Sequence, residues 1–151
     1  MDISQDAVAL TRRNVARNGL EDRVDVVKAD VFSLLTELAR EKKHPYDYII
    51  LDPPAFTKSG ATVKNAYRGY KEINLKAMKL LPRGAYLATC SCSHFMDYEL
   101  FTQTIGQAAR NVHKRLRQVE YRTQSPDHPI PVSYTHSQSP RDISGCRMPS
   151  S

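Results

Sequence analysis

Tyr48-Ile49-Ile50-Leu51-Asp52-Pro53-Pro54-Ala55-Phe56 is the stretch on which the fold turns. A nearly continuous apolar run suits a strand covered on both faces, as in a parallel sheet. It stops at a carboxylate and two prolines, which cannot extend a hydrogen-bonded ladder. A second run, Tyr86-Leu87-Ala88-Thr89-Cys90-Ser91-Cys92-Ser93, ends instead in thiols and hydroxyls. Between them, Ile73, Leu75, Met78 and Leu81 recur at helical spacing from about Lys64 to Leu81, and Pro82-Arg83-Gly84 ends that helix. Strand, helix, strand is the parallel crossover unit, and open α/β sheets bind ligands at the carboxyl ends of their strands. Asp52 and Cys90 are therefore expected on one rim, as an active site.

The same alternation extends in both directions. Residues 4–18 read as a helix, with Ser4 as its cap and Gly19 as its left-handed stop. Ala7, Val8, Thr11 and Val15 form its apolar stripe. Val24–Ala29 reads as a short strand, Val31–Lys43 as a helix through Leu34, Leu35 and Leu38, Asp97–His113 as a helix, and Arg115–Thr123 as a strand. The pattern predicts an α/β, doubly wound parallel sheet. From Gln124 onward the chain is rich in proline and serine without amphipathic period, so little packed structure is expected there.

At 151 residues, 40% hydrophobic and 25% charged, the chain suits one domain with a real core. No apolar run reaches the roughly 18 residues of a membrane span, and no signal-peptide pattern is present, so a cytoplasmic location and no membrane partner are expected. Cys90 and Cys92 are badly placed for a mutual disulfide and read as free thiols. No Cys/His cluster has metal-ligand spacing, so no metal is expected. The charge of +6 suits a polyanion such as RNA, although a solvated basic helix face accounts for it equally well.

Asp2-Ile3-Ser4, Asn14, Asn18-Gly19-Leu20, Ala29-Asp30-Val31-Phe32, Leu51-Asp52-Pro53-Pro54-Ala55-Phe56, Thr89-Cys90-Ser91-Cys92-Ser93-His94 and Asp127-His128-Pro129 follow one another in order. Together they closely resemble the catalytic domain of the class I rRNA large-subunit methyltransferases of the RlmI (YccW-like) type. The resemblance covers about residues 2–131 and implies a Rossmann-like class I methyltransferase sheet of strand order 3-2-1-4-5-7-6. It implies S-adenosyl-L-methionine as cofactor, 5-methylcytosine in 23S rRNA as product, and a homodimer among full-length members. Relative to that family, the RNA-binding domain, the glycine-rich cofactor loop, the first two strands and the last strand are expected to be missing. Residues 1–131 then form a partial methyltransferase domain. Residues 132–151 form a non-native or disordered tail, since Val132–His136 looks like a translated library adapter. Unpaired strands are expected to make such a fragment marginal or aggregation-prone, and the missing loop for the methionine end of the cofactor is expected to leave it inactive alone.

The resemblance also implies roles. Cytosine C5 is a poor nucleophile until a thiolate adds at C6. Cys90 is implied as that nucleophile, and Asp52 as the group that hydrogen-bonds or protonates N3. Cys92 either assists product release or simply packs. Pro53 and Pro54 fix the turn beside the base, Phe56 stacks on it, and Lys58 meets phosphate, as candidates Lys64, Arg68, Lys71, Arg115 and Arg117 also do. Asp2 is implied to take the cofactor ribose, Asp30 with Val31 its adenine, and Asp52 to contact the cofactor as well as the base, although Asp2 suits a helix start and Asp30 an N-cap. His94 is either a base or a surface or capping residue. Two other readings stand beside this one: an amino-group methyltransferase acting on adenine or guanine, which needs no cysteine, and a non-catalytic RNA-binding remnant.

Overall fold

The computed structural model describes residues 1–41, 46–56, 63–93, 96–123 and, as backbone, 142–147. The chain divides into two compact units, Met1–Lys42 and Lys43–Ser151.

In the first unit, α1 (Gln5–Arg17) starts where the Ser4 hydroxyl accepts the Ala7 N–H and has Asp6 in its positive first turn. It ends in a Schellman turn: Gly19 adopts φ 61°, Gly19 N–H donates to the Ala16 carbonyl and Leu20 N–H to that of Val15. Val8 is its buried anchor. Arg12 is tied down too, donating to the Val26 carbonyl at 3.1 Å. The strand expected over 24–29 is reduced to a single parallel bridge between Asp2 and Lys28. The reason is local. The chain turns into α1 after Ser4, so only Asp2 can pair, through Asp2 N–H to Val27 O and Ala29 N–H to Asp2 O, both 3.1 Å. α2 (Val31–Arg40) follows, capped by Asp30 and anchored by buried Leu35.

In the second unit, β1 (Tyr48–Leu51) and β2 (Tyr86–Ser91) pair in parallel, with Tyr48 opposite Tyr86 and Leu51 opposite Thr89. α3 (Val63–Leu80) makes the crossover, and α4 (Tyr98–Asn111) packs against it. The core joins Tyr70, Ile73, Ala77, Met78, Leu80 and Leu81 to Leu87, Phe101, Ile105 and Ala108. β1 departs from the expectation of two covered faces. Tyr48 and Ile50 alternate onto an open face, 54% and 68% exposed, while Leu51 faces the core. The Tyr48 and Tyr86 rings stack at 5.9 Å across the register pair on that face.

β3 (Arg117–Arg122) lies where the sixth family strand is expected, and its neighbour corrects one expectation. A tail segment, β4 (Asp142–Arg147), runs antiparallel between β2 and β3, giving the order β1-β2-β4-β3. That is the 4-5-7-6 portion of the family sheet, with the slot expected to be empty now filled. Backbone pairing explains how Asp-Ile-Ser-Gly-Cys-Arg can serve as a central strand. The edges of β2 and β3 both need hydrogen-bond partners, and a ladder supplies them whatever the side chains.

Lys114, in the basic stretch after α4, has a structural role. His113 takes a left-handed φ of 54° at the helix end, and the Lys114 ammonium that follows donates to the Met78 and Leu81 carbonyls. It thus caps the C-terminus of α3, where a cation also complements the helix dipole. Burial lowers its pKa. Lys114→Met keeps the stem but orphans two carbonyls, and should destabilise the fold by about 1–3 kcal/mol in urea titration.

Candidate active site

The parallel register carries the chemistry to one level. Leu51 pairs with Thr89, so the next residues along, Asp52 and Cys90, emerge side by side from neighbouring strands. Asp52 is exposed, Pro53 buried, Pro54 exposed and Phe56 half-buried. The Asp52 charge reaches Cys90 strongly enough to help raise its pKa. The predicted pairing of acid and thiol on one rim is therefore present.

The two thiols differ. Cys90 is 7% exposed, and its pKa is pushed up to about 11, first by burial, then by the Asp52 charge, then by Cys92. Cys92 lies just beyond the end of β2, half-exposed, and its thiol donates to the Pro53 carbonyl at 3.7 Å. That contact ties the end of β2 to the turn after β1. Ser91 and Ser93 are buried, and the Ser93 N–H donates to the Ser91 hydroxyl at 3.3 Å. With a pKa of about 11, Cys90 is about one part in a thousand thiolate at pH 8, against about one in ten for an ordinary thiol of pKa 9.0. Iodoacetamide at pH 8 should therefore label Cys92 well before Cys90, read by peptide mass spectrometry.

Tyr70 was not expected here. It is fully buried, meets Phe56 edge-on at 4.7 Å on one side and Phe101 at 5.7 Å on the other. Its hydroxyl has no hydrogen bond of ordinary geometry. Burial raises its pKa, the Ser91 side chain and the Phe56 backbone nearby lower it, and the Cys92 and Asp52 charges raise it, so Tyr70 sits beneath the same rim. A sequence signal existed: Tyr70, Ile73, Ala77 and Leu81 fall on one helical stripe.

The acids expected to hold the cofactor are in the first unit and are described there by themselves. The Asp2–Lys28 bridge puts Asp2 and Asp30 at the ends of two adjacent parallel segments. Asp2 Oδ1 accepts the Ser4 N–H at 2.7 Å and Asp30 Oδ1 that of Ser33 at 2.9 Å. Both carboxylates are thus oriented by backbone: Asp30 is the N-cap of α2, and Asp2 accepts from Ser4, the N-cap of α1. Val31 is half-buried at the first position of α2. Lys58 and His94 lie outside the described residues. Lys64, Arg68, Arg115 and Arg117 are exposed, while Lys71 is half-buried and reaches the Gln107 side chain at 3.4 Å. Among the described residues no group of three or more His, Cys, Asp or Glu could hold a metal ion, and no helix is long and apolar enough to cross a membrane.

Parallel β1 and β2 joined through α3, in a four-stranded sheet of order β1-β2-β4-β3, make a Rossmann-like α/β arrangement. The chain belongs to the methyltransferase small domain family, whose profile matches residues 1–121. Among curated proteins, it is 44% identical over 135 residues to ribosomal RNA large subunit methyltransferase I of Pseudoalteromonas translucida, covering 89% of this chain and 34% of that protein. The protein of the same name from Aeromonas hydrophila is 42% identical over the same shares. The chain thus spans about a third of the length of the curated relatives it matches. Among solved structures, SMU.776, assigned as a methyltransferase and complexed with SAH, superposes with a TM-score of 0.75 at 17% identity, over 96% of this chain and 37% of that one. NSun6 from Pyrococcus horikoshii with SFG gives 0.63 at 18% identity, over 99% and 40%.

Proposed function

We propose that the chain is catalytic-domain sequence of an S-adenosylmethionine-dependent methyltransferase that forms 5-methylcytosine in large-subunit rRNA through a covalent thiol adduct, in the cytoplasm. The observation that carries this reading is the register of β1 and β2, which sets Asp52 beside two thiols at the carboxyl end of a parallel strand pair. The names of the curated relatives support rRNA as the substrate.

The residues present fit the cofactor. Two backbone-oriented carboxylates, Asp2 and Asp30, end adjacent parallel segments, the place where such folds hold a ribose and a base. S-adenosylmethionine, when bound, supplies an electrophilic methyl group. The chain's own residues prepare the pyrimidine. A cysteine thiolate forms a bond to C6, and the electron pair of the C5–C6 double bond moves to C5 while Asp52 delivers or shares a proton at N3. After methylation at C5, a base takes the C5 proton, the C5–C6 double bond re-forms as the C6–S bond breaks with its electron pair leaving on the thiolate, and the N3 proton returns to Asp52. The buried Pro53 holds the turn, and Pro54 and Phe56 border the base. Of the candidate cations, Lys64, Arg68, Arg115 and Arg117 are exposed and would meet phosphates in this reading.

The resemblance implies Cys90 as the attacking thiol. Two observations support Cys92 in that role: it is the more exposed of the pair, and the high pKa of about 11 belongs to Cys90. Cys90 keeps the alternative role, supported by its level with Asp52.

The test is product identity. The full-length protein, given methyl-labelled S-adenosylmethionine and unmodified 23S rRNA, should yield labelled 5-methylcytosine after nuclease digestion. Label on an exocyclic amino group would support the amino-methyltransferase reading, and no label with retained RNA binding the non-catalytic one.

A further inference from the structure

Gly69 lies inside α3, an 18-residue helix in which glycine is a poor choice on propensity alone. Its surroundings give the reason. A Cβ built at Gly69 would lie 3.1 Å from Cδ1 and Cγ of Phe56 and 3.3 Å from Cδ2. The Phe56 ring therefore rests on the bare helix backbone, with Tyr70 edge-on to it at 4.7 Å and Phe101 behind Tyr70 at 5.7 Å. The other end of the same turn is tied by the Cys92 thiol to the Pro53 carbonyl. The Asp-Pro-Pro-Ala-Phe turn is thus fastened at both ends, to β2 near its start and to α3 at its aromatic.

We propose that Gly69 and Tyr70 are positioning residues, forming a seat for Phe56 that holds the turn with Asp52 beside the thiols. Their catalytic consequence rests on the methyltransferase reading above; the seat itself does not. Phe56 then acts first as an anchor, since the Cγ end of its ring is taken up by Gly69. Gly106 in α4 provides the internal control: a Cβ there would come no closer than 3.6 Å to Arg110 Nη1, an ordinary contact.

The experiment compares Gly69→Ala, Phe56→Leu, their combination and Gly106→Ala in the full-length protein. Gly106→Ala should leave the melting temperature unchanged or raised. Gly69→Ala should lower it, and should lower kcat for methyl transfer at least about tenfold with KM for S-adenosylmethionine within about twofold and cofactor stoichiometry intact. A merely structural defect would instead reduce the stoichiometry in step with the rate. In the Phe56→Leu background, Gly69→Ala should cost less than about twofold further, because the ring it obstructs is gone. Full kcat in Gly69→Ala, or the same cost in both backgrounds, overturns the proposal. If Gly69→Ala does not fold, the double variant must, and its failure overturns the seat as well. Should the unaltered protein not methylate rRNA, the coupling read as melting temperature still decides the seat, and the functional reading falls alone.

Discussion

Cys92→Ala should lower methyl transfer by on the order of 10⁴-fold or more, while Cys90→Ala stays within about tenfold of the unaltered protein. The difference follows from where each sulfur lies. Cys92 is half-exposed beyond the end of β2 and already touches the turn that carries Asp52. Cys90 is buried in the strand, and ionising it means placing a negative charge in a low-dielectric site beside another one. Removing a covalent nucleophile eliminates the route rather than weakening it, whereas trimming a small buried thiol mainly leaves a minor cavity. Single-turnover rates with saturating cofactor measure the step directly. The reverse pattern would assign the attack to Cys90, and activity in both variants would favour amino-group transfer, which uses no thiol.

Asp52→Asn should reduce kcat by roughly 10²–10⁴-fold with little change in KM for RNA. An amide can still donate a hydrogen bond to N3 of cytosine, so binding survives. It cannot deliver a proton, so the electron sink that makes C6 electrophilic is lost. The same variant has a second readout. The Asp52 charge contributes to raising Cys90 to about 11, so its removal should shift Cys90 alkylation to lower pH, while burial still keeps the thiol above its ordinary value. Unchanged alkylation would mean that the two groups are not electrostatically coupled.

Much of this architecture was legible because it rests on periodicity and strand endings. The apolar runs before Asp52 and Cys90 became parallel neighbours in a register that aligns those two residues. Ser4, Gly19 and Asp30 behave as their capping chemistry predicts. β4 was not legible, because Asp142–Arg147 has no apolar run and owes its place to backbone pairing with both neighbours. The open face of β1 was missed for a related reason: an apolar run does not say whether both faces are covered, and Tyr48 and Ile50 are exposed. Lys114 counts toward the net positive charge, but it caps α3. At the candidate site, the closeness of Asp52, Cys90 and Cys92 was legible from the two strand endings, while the different burial of the thiols needed the packing of β2. Gly69 carried a signal in principle, since glycine within a helix asks for a reason. Only the three-dimensional contact with Phe56 supplies it.

The most direct test uses 23S rRNA transcribed with 5-fluorocytidine, incubated with S-adenosylmethionine and the full-length protein. Fluorine at C5 blocks the final proton loss, so a covalent intermediate should accumulate as a methylated nucleotide linked to the peptide containing Cys92, resolved by mass spectrometry. A protein that methylates ordinary rRNA yet forms no such linkage at either cysteine would contradict the account.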